Sequence, residues 1–318
     1  MLLALVLWRA QFWDLPQVLS RIDWLTPLAV LSLNVPVLAL WVLRSGLVIR
    51  KLGYRLPLNS LVLVTTLGNV AGTVTPAGVG DLLRSRALKE KHGWSGSNAL
   101  AAVLYERIYL PFLLILATAV AAILQAVSSH LWVAPVVIAG GLLAAAYGGW
   151  LYPFASAFVR SVAPRSLTDI VARRSWMRSL GDSDRALRSL FADISLNLTF
   201  SLITGLVYFL AALQVWLLVE ALGGGASVME AWIAFALGSL ASLMVMLPAG
   251  LGVFDASFPA ILNSSGVDFL SATAVTLLIR GLQTLPLGLL AVLCYLLLSR
   301  QRQQQVSSEE PVPATPTK

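Results

Sequence analysis

Charged residues, cysteine and histidine are scarce in this 318-residue chain, and each scarcity excludes a class of protein. Asp, Glu, Lys and Arg make up 12% of the residues, about half of the fraction in soluble domains, whereas 58% are hydrophobic. The single cysteine, Cys294, cannot form an intrachain disulfide. The two histidines, His92 and His130, lie far apart without a neighbouring cysteine. We therefore expect no metal, no cofactor and no appended catalytic domain.

Long apolar stretches dominate what remains. Five of them reach roughly the 20 residues that a bilayer-spanning helix needs, at 24–42, 98–127, 132–154, 192–222 and 269–298. They are rich in Leu, Ala and Val and lack the alternation of barrel strands. The sequence thus predicts an all-α polytopic membrane protein with about five full spans. Residues 1–8 are apolar but too short to cross, and are either a surface anchor or the end of a truncated span.

The distribution of basic residues predicts the orientation. The net charge of +7 is concentrated in short loops between spans, as in cytoplasmic loops of membrane proteins, which argues against nucleic acid as a partner. Arg300 and Arg302 place the C-terminus in the cytoplasm of a multi-pass protein of the cell membrane. The Arg-rich segment 155–190 is predicted to be a cytoplasmic linker, either amphipathic on the inner leaflet or an ordinary loop. The polar tail 299–318 is predicted to be disordered and cytoplasmic.

Two apolar segments, 61–79 and 231–253, are interrupted by glycine and proline. The first is flanked on both sides by four basic residues, in the sets Arg44, Arg50, Lys51 and Arg55, and Arg84, Arg86, Lys89 and Lys91. A crossing segment would place one set outside, against the positive-inside rule. The first segment is therefore predicted to be a re-entrant hairpin from the cytoplasm. The second is predicted to be a hairpin from the exterior, because a full crossing would place Arg300 and Arg302 outside. Both are expected to have irregular backbone, which at membrane depth must be buried in protein or line a wet cavity.

The two hairpins share a five-residue motif, which indicates an internal repeat. The motif is Pro-Ala-Gly-Val-Gly from Pro76 and Pro-Ala-Gly-Leu-Gly from Pro248, with its glycines at Gly78, Gly80, Gly250 and Gly252. Asp81 and Asp255 follow, and then Arg107 and Arg280 come 26 and 25 positions later. We predict one domain over 1–298, with repeat one at 24–127 and repeat two at 192–298. The charge bias predicts inverted topology, an arrangement that recurs in transporters.

Several polar residues fall within the apolar segments. Arg107 and Arg280 lie about ten residues into their spans, roughly 15 Å deep, where an arginine is costly unless it faces a partner. Glu106 points about 100° away from Arg107, so each needs another partner, which Asp81, Asp255, Arg84 or the opposite repeat can supply. The candidate substrate-binding residues are Arg107, Arg280, Asp81, Glu106, Asp255, Arg84, Asn69 and Gln283. The alternative is a structural network in which these charges neutralise one another.

The motif residues resemble a known family. Residues 76–88 (Pro-Ala-Gly-Val-Gly-Asp-Leu-Leu-Arg-Ser-Arg-Ala-Leu) with Tyr105-Glu106-Arg107, and residues 247–255 with Leu277-Leu-Ile-Arg280, are similar to the membrane region of lysylphosphatidylglycerol synthases. That region also occurs alone in flippase-like integral membrane proteins. The resemblance covers about 24–298. It departs from the family pattern at Gly78, where a basic residue is usual, and at Asp81 and Asp255, where Glu is usual.

The resemblance implies a lipid flippase or transporter that moves an anionic phospholipid or a polyprenyl-linked glycolipid across the cytoplasmic membrane. Arg107 and Arg280 are expected to bind the headgroup phosphate, because guanidinium groups match phosphate geometry. Two alternatives are an accessory or scaffold for a glycosyltransferase or lipid-modifying partner, and a lipid-phosphate transferase. No catalytic motif is present, so we expect no enzymatic activity, and membrane lipids as the principal partners.

Overall fold

The structure, a computed structural model, describes residues 12–74, 84, 88, 94–126, 134–161, 182–245 and 252–308. This part of the chain is almost entirely helical and contains no strand. A 3-10 turn at Gly148–Leu151 separates two of its helices. In chain order the helices are α1 (Leu15–Leu19), α2 (Leu25–Lys51), α3 (Leu58–Val74), α4 (Gly96–Ala126), α5 (Ala134–Ala146), α6 (Tyr152–Ser161), α7 (182–191), α8 (Ile194–Ala221), α9 (Val228–Val245), α10 (Val253–Ser264) and α11 (Phe269–Ser308).

Four helices are long and apolar enough to cross a bilayer: α2, α4, α8 and the part of α11 from Phe269 to Leu293. A fifth crossing is available if α5 and the segment that follows it to Phe154 form one span, which is bent by 52°. The prediction of an all-α polytopic membrane protein with about five spans is confirmed.

The segments predicted to be hairpins contain shorter helices. The apolar parts of α3 and α9, Leu58–Val70 and Val228–Ser242, extend about 20 Å, less than the roughly 30 Å of a bilayer core. The expectation of irregular backbone before residue 75 is wrong, because α3 continues through Gly68 to Val74. Tertiary packing overrides the low helix propensity of its glycines and threonines. Residues 75–83 and 246–251 lie outside the described residues, so the hairpins stay a prediction.

The two halves of the chain have similar element order. Helices α2 and α8 have 27 and 28 residues, and α3 and α9 have 17 and 18. Gly53 and Gly223 follow the long helices with positive φ angles of 85° and 77°, which favour glycine. Gly53 and Gly223 are 170 positions apart, and the same separation relates Gly68 to Gly238. Gly68 lies against Arg84 and Gly238 lies against Phe254, each of which follows the shared motif in its half of the chain. These similarities favour the predicted repeat, whose inverted orientation stays a prediction.

Helix α8 lies at the centre of the bundle and packs against α2, α4, α5, α9 and α11. One apolar cluster joins it to α10 and α11 around the fully buried Leu218, Phe258 and Ile279. A second cluster joins it to α4 and α7 around the buried aromatic side chains of Tyr105, Tyr109, Phe191 and Phe200. The apolar residues that face outward on the long helices are those expected to contact lipid.

The linker and the tail differ from their predicted limits. Within the linker, 182–191 form α7, which buries Leu187 and Leu190 in the second cluster while Arg185 is exposed. The apolar face of this part therefore packs on protein rather than lipid. Helix α11 continues to Ser308, so predicted disorder is wrong for 299–308, where Gln and Arg are good helix formers. Residues 1–11, 162–181 and 309–318 lie outside the described residues.

Gly148 allows the bend after α5 to pack on α4. A Cβ atom at Gly148 would lie 2.6 Å from Cε2 of Tyr109, a fully buried ring that cannot move aside. We expect Gly148→Ala to lower the free energy of unfolding by about 1–3 kcal/mol through overpacking, measurable by thermal unfolding in detergent. Gly140→Ala is the matched control, since a Cβ there meets nothing within 4 Å. Equal melting temperatures for the two variants would contradict this packing.

Asp193 joins α8 to the end of α2. Its Oδ1 accepts a hydrogen bond from the Leu196 backbone N–H at 2.8 Å, which caps α8, and its Oδ2 pairs with the Lys51 ammonium. The hydrogen bond from Lys51, followed by that from Leu196, holds the pKa of Asp193 below its ordinary value. A lowered pKa stabilises the folded state above the unfolded-state pKa, and the contribution is lost as the pH falls through the folded-state pKa.

We therefore expect Asp193→Asn, which keeps the cap but removes the charge, to lower stability by at most about 1 kcal/mol at pH 7. The difference from the wild type should begin to shrink as the pH falls below about 4, the ordinary pKa of Asp, and should vanish below the lowered folded-state pKa, where the wild-type carboxylate is protonated. Melting temperatures measured from pH 7 down to about pH 2 test this. A difference that does not shrink over this acid range would show that the charge of Asp193 is not its cause.

Candidate functional site

The first buried ion pair joins Arg84 to Glu106 of α4. Nη1 and Nη2 of Arg84 lie 2.7 and 3.0 Å from Oε2 and Oε1 of Glu106, a bidentate arrangement. Both side chains are 8% exposed, and the Ser45 hydroxyl also hydrogen-bonds Glu106. The aliphatic part of Arg84 lies over Gly68, where a Cβ would be 2.7 Å from its Cδ. A glycine at 68 thus permits the approach that brings Arg84 to Glu106.

The second ion pair joins Asp255 of α10 to Arg280 of α11. Arg280 Nε lies 2.5 Å from Asp255 Oδ1, a charge contact rather than an aligned hydrogen bond. The other carboxylate oxygen accepts the Gly252 N–H at 2.8 Å, and Gly252 has a φ of 85° that favours glycine. The Arg280 guanidinium also lies 4.9 Å from the ring centroid of Phe254. Asp255 is 2% exposed, so its charge depends on these partners.

Arg44 is a further buried arginine, and its predicted place in the loop after the first span is wrong. It lies inside α2 and is 5% exposed. It interacts electrostatically with Glu106 and Arg84. Its position was missed because the positive-inside rule counts basic residues near a span end and does not separate those in a loop from those in the helix. The following Ser45 and Gly46, small residues that favour close helix packing, are the signal that points to burial.

A neutral polar network joins α2, α8 and α11. The Gln214 amide donates to the Val30 carbonyl and to Asn34, both at 3.0 Å, and accepts from Gln283 at 2.8 Å. The Asn34 amide in turn donates to the Leu282 carbonyl at 2.7 Å. Gln283 was predicted to bind substrate, and here it holds α11 to α8. Asn34 and Gln214 were missed, because single amides in long apolar runs carry no spacing signal.

The structure brings some of the predicted site residues together and leaves others apart. Of the partners left open for Glu106 and Arg107, it supplies Arg84 for Glu106, and it pairs Arg280 with Asp255. Arg107 is exposed on α4 beside the buried Glu106. The Asn69 amide donates to Thr65 of its own helix at 3.0 Å. Outside the described residues lie Asp81, Pro76, Gly78, Gly80, Pro248 and Gly250.

The chemistry available at these sites is charge recognition. Within the described part of the chain, no group of three or more His, Cys, Asp or Glu residues is placed to hold a metal ion. Guanidinium groups present planar donors that match the oxygens of carboxylate and phosphate equally well.

Comparison with known proteins gives one family. The family model described as "Lysylphosphatidylglycerol synthase TM region" matches residues 1–291. No curated protein matches the chain.

Proposed function

Because the chain belongs to the lysylphosphatidylglycerol synthase transmembrane-region family, whose members are membrane proteins involved in lipid handling, we propose that it moves an anionic phospholipid or polyprenyl-linked glycolipid across the cell membrane. In this proposal the protein is not an enzyme, and its C-terminus is cytoplasmic. Membrane lipids are its partners, along with any enzyme that makes or consumes the transported lipid.

The observation that carries the proposal is one guanidinium–carboxylate contact in each half of the chain, each made by a buried carboxylate. An arginine at membrane depth is unfavourable without an anionic partner. Glu106 and Asp255 supply that partner when no lipid is bound. A lipid phosphate that replaces a carboxylate leaves the arginine satisfied, and the exchange requires that the displaced carboxylate take up a proton or find another cation.

In this proposal the lipid path runs past these groups. The headgroup moves among the polar residues of the bundle while the acyl chains stay in the bilayer. This keeps the charge away from hydrocarbon, where it would cost at least about 2.5 kcal/mol. The sequence has no nucleotide-binding motif, so the free energy for net lipid transport comes from a gradient or from a reaction that consumes the lipid on the far side of the membrane.

Lipid movement in proteoliposomes tests the proposal. Headgroup-labelled phosphatidylglycerol and phosphatidylcholine are reconstituted with the purified protein, and the accessible label is measured over time against protein-free vesicles. We expect faster movement of phosphatidylglycerol with protein than without, and a smaller effect on zwitterionic phosphatidylcholine. Identical rates for both lipids with and without protein would contradict a flippase for these lipids.

A further inference from the structure

Thr65 and Thr66, adjacent residues of α3, have buried hydroxyl groups that make no hydrogen bond. The two side chains are 2% and 0% exposed, and neither hydroxyl oxygen has a hydrogen-bond partner among the residues that the structure describes. A buried hydroxyl without a partner costs free energy that a bound polar group would recover. These two hydroxyls are therefore available to a polar ligand.

Other buried threonines of the bundle satisfy their hydroxyls within their own helix. The hydroxyls of Thr118, Thr204 and Thr276 donate to the carbonyl groups four residues earlier, at 2.7, 2.7 and 2.8 Å. This bond is open to a threonine inside any helix. Thr65 and Thr66 lie inside α3 and do not make it, so their hydroxyls stay free for another donor or acceptor.

The other half of the chain has apolar residues at the corresponding positions. Residues 235 and 236 follow residues 65 and 66 by the same 170 positions that separate the corresponding glycines of the two halves. They are Phe235 and Ala236, which are partly buried and buried respectively. A helix in this place thus folds without a hydroxyl group, which argues against a requirement of the fold for the two threonines.

Thr65 lies beside the first ion pair. Gly68, one turn after Thr65 on the same face of α3, lies against Arg84. Leu61, one turn before Thr65 on that face, lies against Gly46 of α2. Helix α3 also packs against α11, which belongs to the other half of the chain. Thr65 thus lies on the face of α3 between α2 and the Arg84 side chain, which takes part in the lipid exchange proposed above.

We propose that Thr65 and Thr66 bind the hydroxyl groups of a lipid headgroup and select a lipid with a glycerol or sugar headgroup. This inference rests on the proposed function and deepens it. Arginine only donates hydrogen bonds and a carboxylate only accepts them, whereas a threonine hydroxyl does both, as a headgroup hydroxyl does. A site that hydrogen-bonds a hydroxyl discriminates against an analogue without it, because the buried polar groups of the site are then left unpaired.

The test compares two lipids that share the phosphodiester and differ in the headgroup alcohol. Dioctanoyl phosphatidylglycerol carries headgroup hydroxyls, and dioctanoyl phosphatidylmethanol carries none. Each is added to detergent-purified protein while thermal unfolding is followed by tryptophan fluorescence. We expect the wild type to bind phosphatidylglycerol at least about fivefold more tightly, which is what one neutral hydrogen bond contributes. The double variant Thr65→Val with Thr66→Val replaces each hydroxyl with a methyl group and should bind the two lipids about equally.

Stability without lipid separates binding from structure. Because the double variant removes buried hydroxyls that make no hydrogen bond, its melting temperature without lipid should equal or exceed that of the wild type. Thr118→Val is the matched control, since it makes the same substitution at a buried threonine whose hydroxyl bonds to its own helix. It should leave the preference for phosphatidylglycerol unchanged.

Equal affinity of the wild type for both lipids, or the same preference in the double variant as in the wild type, would overturn the inference. A lower melting temperature of the double variant with an unchanged preference would assign the hydroxyls to ordered water, and would overturn it as well. Glycerol phosphate that competes with phosphatidylglycerol at equal affinity would show a site for a free polyol phosphate and would overturn the lipid assignment. Hydroxyl-dependent binding without lipid movement contradicts the proposed function alone. Movement of both lipids without a binding preference contradicts this inference alone.

Discussion

Arg84→Ala is expected to lower the free energy of unfolding by about 3–5 kcal/mol, because it leaves the Glu106 carboxylate buried without its bidentate partner. The pair is 8% exposed on both sides, so water cannot replace the lost guanidinium. Arg44 interacts with Glu106 electrostatically but does not reproduce the two short hydrogen bonds. The measurement is chemical or thermal denaturation of purified protein in detergent.

Arg185 supplies the matched control. Its Nη2 lies 2.7 Å from Asp182 Oδ1, the same distance as in the buried pair, but the two side chains are 82% and 52% exposed. Arg185→Ala should therefore change stability by no more than about 1 kcal/mol. A similar loss in both variants would show that burial does not determine the importance of the Arg84–Glu106 pair.

Arg280→Ala is expected to slow the movement of anionic lipid at least about tenfold, the loss of a charge-assisted hydrogen bond to phosphate. It also leaves Asp255, which is 2% exposed, with the Gly252 N–H as its remaining hydrogen-bond donor among the described residues. Initial rates for labelled phosphatidylglycerol in proteoliposomes measure the first effect. Melting temperatures measure the second.

Two further variants separate these effects. Arg280→Met with Asp255→Asn removes both charges while the amide oxygen still accepts the Gly252 N–H, so stability should recover but lipid movement should not. Arg280→Lys keeps the charge and should retain part of the activity. Normal rates in the neutral double variant would show that Arg280 has a structural role.

The membrane-spanning part of the fold was predictable because long apolar runs are a strong signal. The ends of the helices were less predictable. Residues 301–305 were predicted to belong to a polar, disordered tail, yet they continue α11. Their helix propensity is high, and the preceding span has already nucleated the helix. Gly68 read as a helix breaker, yet it lies in α3 because Arg84 fills the space beside it.

The candidate site was predictable in its residue types but not in its pairing. Helical spacing excluded an ion pair between Glu106 and Arg107, which left several partners open. The choice of Arg84 depends on how the chain returns to α4, a tertiary property that spacing does not encode. Arg44 was counted as a loop residue, because charge statistics near a span end do not register burial within the helix.

The most direct test of the proposed lipid exchange is the activity of a protein that lacks the Arg84–Glu106 pair but remains folded. In Arg84→Met with Glu106→Leu, apolar residues of similar volume replace both charges, so most of the stability lost in Arg84→Ala should be recovered. We expect this double variant to melt close to the wild-type temperature and to move labelled phosphatidylglycerol no faster than protein-free vesicles do. A stable double variant that moves the lipid at the wild-type rate would contradict lipid exchange at this pair.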